Sequence, residues 1–225
     1  MAGATGDLGG RIARSLRQRG ATVRAIVRPG SDNWKIAALQ EQGCSLVEAD
    51  YNNVPALKEA CTGGDCVVSA LSGLRGVIVD AQTSLLQAAV DAGVPRFMPS
   101  DFAIDFTKLP YGTNRNLDLR REFAERLDEA PIRATSVLNG MFTYLLTGQA
   151  PVILFPLKRV VYWEDADQLL DFTTIEDTAA FAAAAALDPA APRYLRVAGQ
   201  AVSARGLKEV ASKVTGKKFG LLPVV

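Results

Sequence analysis

The chain has 225 residues, a formal net charge of +1 and 48% hydrophobic side chains, enough apolar mass for one large core or for a core with a small companion lobe. A balanced charge gives no general case for nucleic-acid binding, and no apolar run reaches bilayer length, since the stretch Ala179–Leu187 is short. The chain contains no histidine, which removes Ser-His-Asp and Cys-His catalysis and every imidazole metal site, and leaves Lys, Tyr, Asp, Glu, a cofactor or water to move protons.

The stretch Gly3-Ala4-Thr5-Gly6-Asp7-Leu8-Gly9-Gly10 puts glycines at 3, 6 and 9 immediately ahead of an amphipathic run. Leu8, Ile12 and Leu16 are spaced by four, with Arg11, Arg14 and Arg17 pointing elsewhere, which predicts a first buried helix. A glycine turn that feeds a helix N-terminus suits a pyrophosphate. No Cβ blocks the approach of the backbone, and the unpaired N–H groups and helix dipole favour negative charge. A plain turn is the alternative. Such a cradle leaves the C-terminal end of a parallel strand, which Met1 and Ala2 are too short to supply, so the chain reads as clipped there and again at Leu221–Val225.

Gly20 ends the helix, and Ala21–Val27 predicts an alternating strand with Val23, Ala25 and Val27 on one face. About twenty residues beyond the glycines, an acidic side chain would bind the ribose hydroxyls of NAD. Arg28 stands there instead and suits the 2′-phosphate of NADP, with Lys35 as a second phosphate contact; a solvated surface arginine is the alternative. Trp34–Gln42 predicts a helix and Ser45–Glu48 a strand. Asp50 and Tyr51 follow at the strand end where an adenine would lie, unless Asp50 caps the helical segment Pro55–Ala60. Cys66–Leu71 is an unbroken apolar run, the mark of a central parallel strand covered on both sides. Cys44, Cys61 and Cys66 are odd in number and lack C-x-x-C spacing, which argues against disulfides and metal and for a reducing cytoplasm. A helix over Val77–Ala92, with Gln82 in its early turns, leads to the strand Val94–Met98 and to Pro99-Ser100-Asp101-Phe102 at its end.

Strands and helices thus alternate, which predicts a Rossmann-type doubly wound parallel α/β sheet whose ligands lie beyond the C-terminal strand ends. Gly3, Thr5, Gly6, Asp7, Leu8, Gly9, Arg28, Asp50, Tyr51, Ala70, Leu71, Ser72, Ser100 and Phe102 all fall at such ends, and their agreement carries more weight than any one motif. Beyond them come a polar loop over Ala103–Asn116, a charged helix over Leu117–Asp128 and a strand over Ile132–Leu138 that ends at Asn139-Gly140-Met141-Phe142. Short strands over Val152–Phe155, Val160–Trp163 and Tyr194–Val197 follow, with two helices, one opening at the capping box Thr173-Thr174-Ile175-Glu176-Asp177. Residues 1–150 are therefore expected to form the dinucleotide-binding domain and 151–225 a smaller substrate lobe interleaved with it.

The set Gly3–Gly9, Val27-Arg28, Ser69-Ala70-Leu71, Arg96–Phe102 and Leu138–Phe142 resembles the NmrA-like branch of the atypical short-chain dehydrogenases, which includes the isoflavone reductase-like proteins. The likeness covers nearly the whole chain. It implies NADP(H) as cofactor, no metal, a small phenolic, carbonyl or quinone-type substrate, and hydride transfer; Phe102, Asn139 and Phe142 would line the substrate pocket, with simple core packing as the alternative for Phe102 and Phe142. Family reductases carry a lysine in a K-x-x-x-R pattern, and anchoring on Arg120 puts Asn116 at that position. An amide cannot transfer a proton, so Tyr111 and Lys108 in the preceding loop stand as further catalytic candidates. The alternative is an NADP(H)-sensing regulator that acts through a protein partner, as other members of the family do.

Overall fold

The first helix, α1 (Asp7–Gln18), buries Gly9, Ile12, Ala13 and Leu16 on one side, as its spacing requires. In this computed structural model, which describes residues 1–148 and 151–224, it is followed by β1 (Arg24–Val27), α2 (Asn33–Glu41), β2 (Ser45–Glu48), α3 (Val54–Cys61) and β3 (Val67–Val68). Next come α4 (Gln82–Asp91), β4 (Arg96–Met98), α5 (Arg115–Glu129), β5 (Arg133–Ala134) and β6 (Ser136–Leu138). The remainder comprises β7 (Met141–Phe142), β8 (Ile153–Leu154), β9 (Arg159–Trp163), β10 (Leu169–Thr173), α6 (Ile175–Leu187), β11 (Tyr194–Arg196), β12 (Gln200–Ser203), α7 (Ala204–Thr215) and β13 (Gly220–Val224). The domain boundary expected at 150 falls on positions outside the described residues.

Several elements differ from expectation for identifiable reasons. The strand expected from Ala21 begins at Arg24, and Ala25, Ile26 and Val27 are all buried, because layers cover both of its faces. Of the run Cys66–Leu71, Val67 and Val68 form the ladder to β4 and Ser69 makes a single bridge to Ala2. The long helix expected over Val77–Ala92 starts as a π-helical turn, Gly76–Ala81, before α4. Asn53, not Asp50, caps α3, accepting from the Ala56 N–H at 3.1 Å, while Asp50 closes its own turn by accepting from Asn52 at 2.9 Å. The loop after Phe102 is less polar in its packing than in its composition, since Phe106 is buried.

The main sheet is parallel throughout. Its order is β2, β1, the pair Met1–Ala2, β3, β4, the nearly continuous β5 and β6, and β11. Met1 and Ala2 do contribute a rung, contrary to expectation. The Ile26 N–H donates to the Met1 carbonyl, the Ala2 N–H to Val68, and the Ala70 N–H to Ala2, at 2.8, 2.8 and 3.0 Å. This rung places the glycine turn in the middle of the sheet, between two strands that run in the same direction.

Gly140 takes the chain out of this sheet. Its φ is +67°, and a Cβ there would overlap the Asp171 carbonyl, so glycine is required where the backbone crosses to β7. β7 pairs with β10 and β10 with β12; β8, β9 and β13 form a second small sheet, with α7 closing a separate core around Val160, Phe172, Leu207 and Phe219. The chain after residue 151 serves both layers. β11 pairs with β6, and α6 lies against α1 through the buried alanines 179, 182 and 183, whose small side chains allow close approach. Buried Arg96 donates to the Ala185 and Ala186 carbonyls at 2.8 and 3.0 Å, placing a cation on the negative end of α6.

Candidate functional site

The turn at residues 3–9 is closed by backbone alone. The Gly6 N–H donates to the Gly3 carbonyl at 3.0 Å and the Gly10 N–H to Gly6 at 2.8 Å. Gly3 has φ +74°, and a Cβ on it would stand 2.5 Å from the Ala70 carbonyl; a Cβ on Gly9 would overlap the Gly3 carbonyl. Helix and strand end are thus too close for any side chain. Gly6 caps α1 in an extended conformation without a side-chain hydrogen bond, so the N–H groups of Asp7, Leu8 and Gly9 have neither an intrahelical acceptor nor a capping side chain. Gly6 and Asp7 are exposed, Thr5 and Leu8 half-buried, and the Asp7 carboxylate accepts from Arg11 at 2.8 Å. This is the geometry that accepts a phosphate: donors without protein acceptors at the positive end of a helix. Tyr51 lies under the turn rather than beside it. It is buried among the core residues of β3 and α3, and burial pushes its phenol up to about 12 against a backbone hydrogen bond from Gly3.

Two hollows lie near these strand ends, one of them lined by the turn itself. One, about 350 Å³, is lined by Arg28, Pro29, Gly30, Ser31, Asp50 and Asn52. The Arg28 carbonyl accepts from the Ser31 N–H and hydroxyl at 3.1 and 2.7 Å, which fixes the turn after β1, while its exposed guanidinium has no hydrogen-bond partner among the described residues. The other, about 470 Å³, runs between α1 and α2 past Thr5, Gly6, Arg14, Trp34, Lys35 and Gln42. Lys35 is already engaged: its ammonium is 2.7 Å from Asp32 and 5.2 Å from the Trp34 ring centre.

At the end of β4, the Ser100 N–H donates to Gln82 Oε1 at 2.9 Å and its hydroxyl to the Leu71 carbonyl at 2.7 Å. Gln82 is fully buried and its amide also donates to the Ile78 carbonyl at 2.6 Å, so one side chain ties the strand end to the π-helical turn. Ala70 and Leu71 are half-buried and Ser72 is exposed at the neighbouring strand end. Phe102 is only 7% exposed and belongs to the core. Phe142 is half-buried and stacks on exposed Tyr144, ring centres 5.5 Å apart. Asn139 is fully buried; its backbone carbonyl accepts from Thr173, and its side-chain oxygen has no partner among the described residues.

The three catalytic candidates sit in three different surroundings. The Tyr111 hydroxyl donates to Glu125 at 2.8 Å with Arg121 over its ring, and local desolvation together with Glu125 pushes the phenol up to about 12. Lys108 is exposed and 3.8 Å from Asp105, which also accepts from Arg196 at 2.7 Å. Asn116 is exposed in the first turn of α5, where its N–H donates to the capping Asn114 and its carbonyl accepts from Arg120 at 2.9 Å. None of the three is bonded to another.

A buried polar chain behind the strand ends is not evident in the sequence. Asp101 Oδ2 accepts from the Ser136 hydroxyl at 2.7 Å, Ser136 accepts from Arg193 at 2.6 Å, and Arg193 donates to Asp128 at 2.6 Å. Burial pushes the Asp101 carboxyl up to about 6, opposed by Ser136, Arg120 and Arg193. The Nε of Arg120 and Oδ1 of Asp101 are both buried without partners among the described residues. The chain turns at this point, since the Asp101 N–H donates to the Pro99 carbonyl at 2.9 Å. Among the described residues, no group of three or more His, Cys, Asp or Glu is placed to hold a metal, and no helix is long and apolar enough to cross a membrane.

Comparison with known proteins gives a family model, described as the NmrA-like family, that matches residues 1–222. Pinoresinol reductase 1 of Arabidopsis thaliana is 28% identical over 237 residues, covering 97% of this chain and 74% of the relative. Among solved structures, AtPrR2 with NADP+ and (+)pinoresinol superposes with a TM-score of 0.85 at 26% identity, covering 99% of this chain and 77% of the other. The NADPH-dependent quinone oxidoreductase QOR2 of Escherichia coli, complexed with NADPH, superposes with a TM-score of 0.81 at 25% identity, again covering 99% and 77%.

Proposed function

This chain belongs to the NmrA-like family, and on that premise we propose that it binds NADP(H) and transfers a hydride to a small aromatic, carbonyl or quinone-type substrate. The observation that carries the reading is the turn at Gly3–Gly9, whose helix N-terminus has no side-chain cap, together with an exposed Arg28 at the next strand end whose guanidinium has no partner among the described residues. The N–H groups of Asp7, Leu8 and Gly9 would hold the pyrophosphate, Arg28 and Lys35 the 2′-phosphate, and Asp50 the adenine amine. Ala70, Leu71, Ser72 and Ser100 line the strand ends along which the rest of the cofactor would extend, and Asn139 and Phe142 would border the substrate. NADPH supplies a hydride when bound.

The residues also favour one class of acceptor. At position 116 an amide holds a carbonyl oxygen or a water by hydrogen bonds but transfers no proton. A ketone needs a proton on its oxygen as hydride arrives, because an alkoxide is strongly basic. A quinone becomes a phenolate, which is stable enough to take its proton from water afterwards. A site without a general acid therefore suits quinones better than simple ketones. The test is NADPH oxidation with quinones, enones and aromatic aldehydes; turnover fastest with quinones is expected. Turnover of none of the three, alongside tight NADP+ binding, would favour the second reading, an NADP(H)-sensing regulator acting through a protein partner. Asn116 and the outward engagement of Tyr111 and Lys108 support that reading. Failure to bind NADP+ would overturn both.

A further inference from the structure

Asp32 occupies the N-cap position of α2, where an aspartate ordinarily accepts from the second or third N–H of the helix. It makes no such bond; its carboxylate is spent on Lys35 at 2.7 Å. Lys35 shares the groove between α1 and α2 with Thr5 and Gly6 of the glycine turn, and Asp32 follows directly on the turn Arg28–Ser31 that the two Ser31 hydrogen bonds close. A carboxylate is thus built into the corner whose cation is Lys35, in the groove beside the glycine turn. Such a corner serves a dianionic phosphate, and a fixed negative charge inside it opposes that use.

We propose that Asp32 is a specificity-determining residue, which competes with the cofactor 2′-phosphate for Lys35 and so narrows the preference for NADP(H) over NAD(H). The inference rests on the NADP(H) reading above. Binding of the phosphate requires Lys35 to leave Asp32, and Asp32 then remains near the phosphate as an unpaired like charge. A cofactor without the 2′-phosphate leaves the Asp32–Lys35 pair intact and meets no such penalty. The pair is partly exposed, with Lys35 at 36% and Asp32 at 55% side-chain exposure, so the effect is screened and modest.

The test is calorimetric binding of NADP+ and NAD+ to the wild type, Asp32→Asn and Asp32→Ser. Both replacements are good N-cap residues, so α2 keeps its start. NADP+ affinity is expected to rise about three- to tenfold in both variants with NAD+ affinity changed less than about twofold. In a Lys35→Met background the gain from Asp32→Asn is expected to vanish, since the competition has lost its object. Unchanged NADP+ affinity, or equal tightening of both cofactors, overturns the proposal while leaving the NADP(H) reading intact. A gain that persists in Lys35→Met overturns the competition for Lys35. A wild type that binds neither cofactor overturns the NADP(H) reading and this inference with it.

Discussion

The glycine turn at residues 3–9 and the segment from Ala103 to the first turn of α5 border the same end of the main sheet, but they are held in unlike ways. The turn is fixed by main-chain contacts: Gly3 against the Ala70 carbonyl, Gly9 against Gly3, and the Met1–Ala2 rung between β1 and β3. The second segment is fixed by side chains at the surface: Tyr111 on Glu125, Lys108 and Arg196 on Asp105, and Arg121 on the Leu109 carbonyl. Backbone packing of the first kind tolerates no substitution, because there is no room. Surface ion pairs of the second kind contribute little each and can be exchanged without disturbing the fold. Cofactor binding and proton chemistry can therefore vary independently on this scaffold.

Breaking the first region has the largest expected effect. Gly9→Ala forces a Cβ into the Gly3 carbonyl, with a loss of about 3 kcal/mol of stability and at least about a hundredfold loss of NADPH affinity. Denaturant midpoints and a binding titration check both. Next, Arg28→Ala removes one charge-assisted contact worth about 2 kcal/mol, weakening NADPH roughly thirtyfold while sparing NADH; equal losses for both cofactors would refute its assignment to the 2′-phosphate.

Asp101 stands between the two regions and gives a pH test. Its folded carboxyl titrates at about 6, above the ordinary 3.8 expected when unfolded. Between those values the native state holds a proton that the unfolded chain has released, so stability falls as pH rises through this window. The penalty is on the order of 2–3 kcal/mol by pH 7. Urea midpoints measured from pH 4 to 7 should show Asp101→Asn losing this slope relative to the wild type. The smallest effect belongs to the second region. Tyr111→Phe should change turnover less than about twofold and stability by under about 0.5 kcal/mol, given a contact to an exposed glutamate. A hundredfold drop in rate would return Tyr111 to the reaction.

What could be read from the chain beforehand follows from the range of the forces involved. The glycine turn, α1, and the strand ends at Arg28, Asp50, Ser72 and Ser100 rest on local spacing and turn chemistry, and these are written in consecutive residues. β7, β10 and β12 leave no comparable trace, since two- to five-residue strands carry too little periodicity to stand out. The Asp101 chain joins residues 35 and 57 positions apart, and no local pattern announces it. Phe102 illustrates the limit at a single residue. Its place at a strand end leaves two orientations open, toward a ligand or into the core; the choice depends on a core cluster that includes residues of α1 and α6, and α6 begins more than seventy residues later.

The alanine face of α6 against α1 has a bearing on how the chain is made. Synthesis produces the glycine turn and α1 well before the helix that covers α1, which spans residues 175–187, and the last strand of the main sheet, Tyr194–Arg196, comes later still. Until roughly residue 196 has left the ribosome, Ile12, Ala13 and Leu16 lack their partner surface. Contacts of such sequence separation close slowly, and unpaired apolar faces invite chaperones and aggregation in the interval. The nascent chain thus carries the glycine turn well before the helix and strand that complete the layer beneath it.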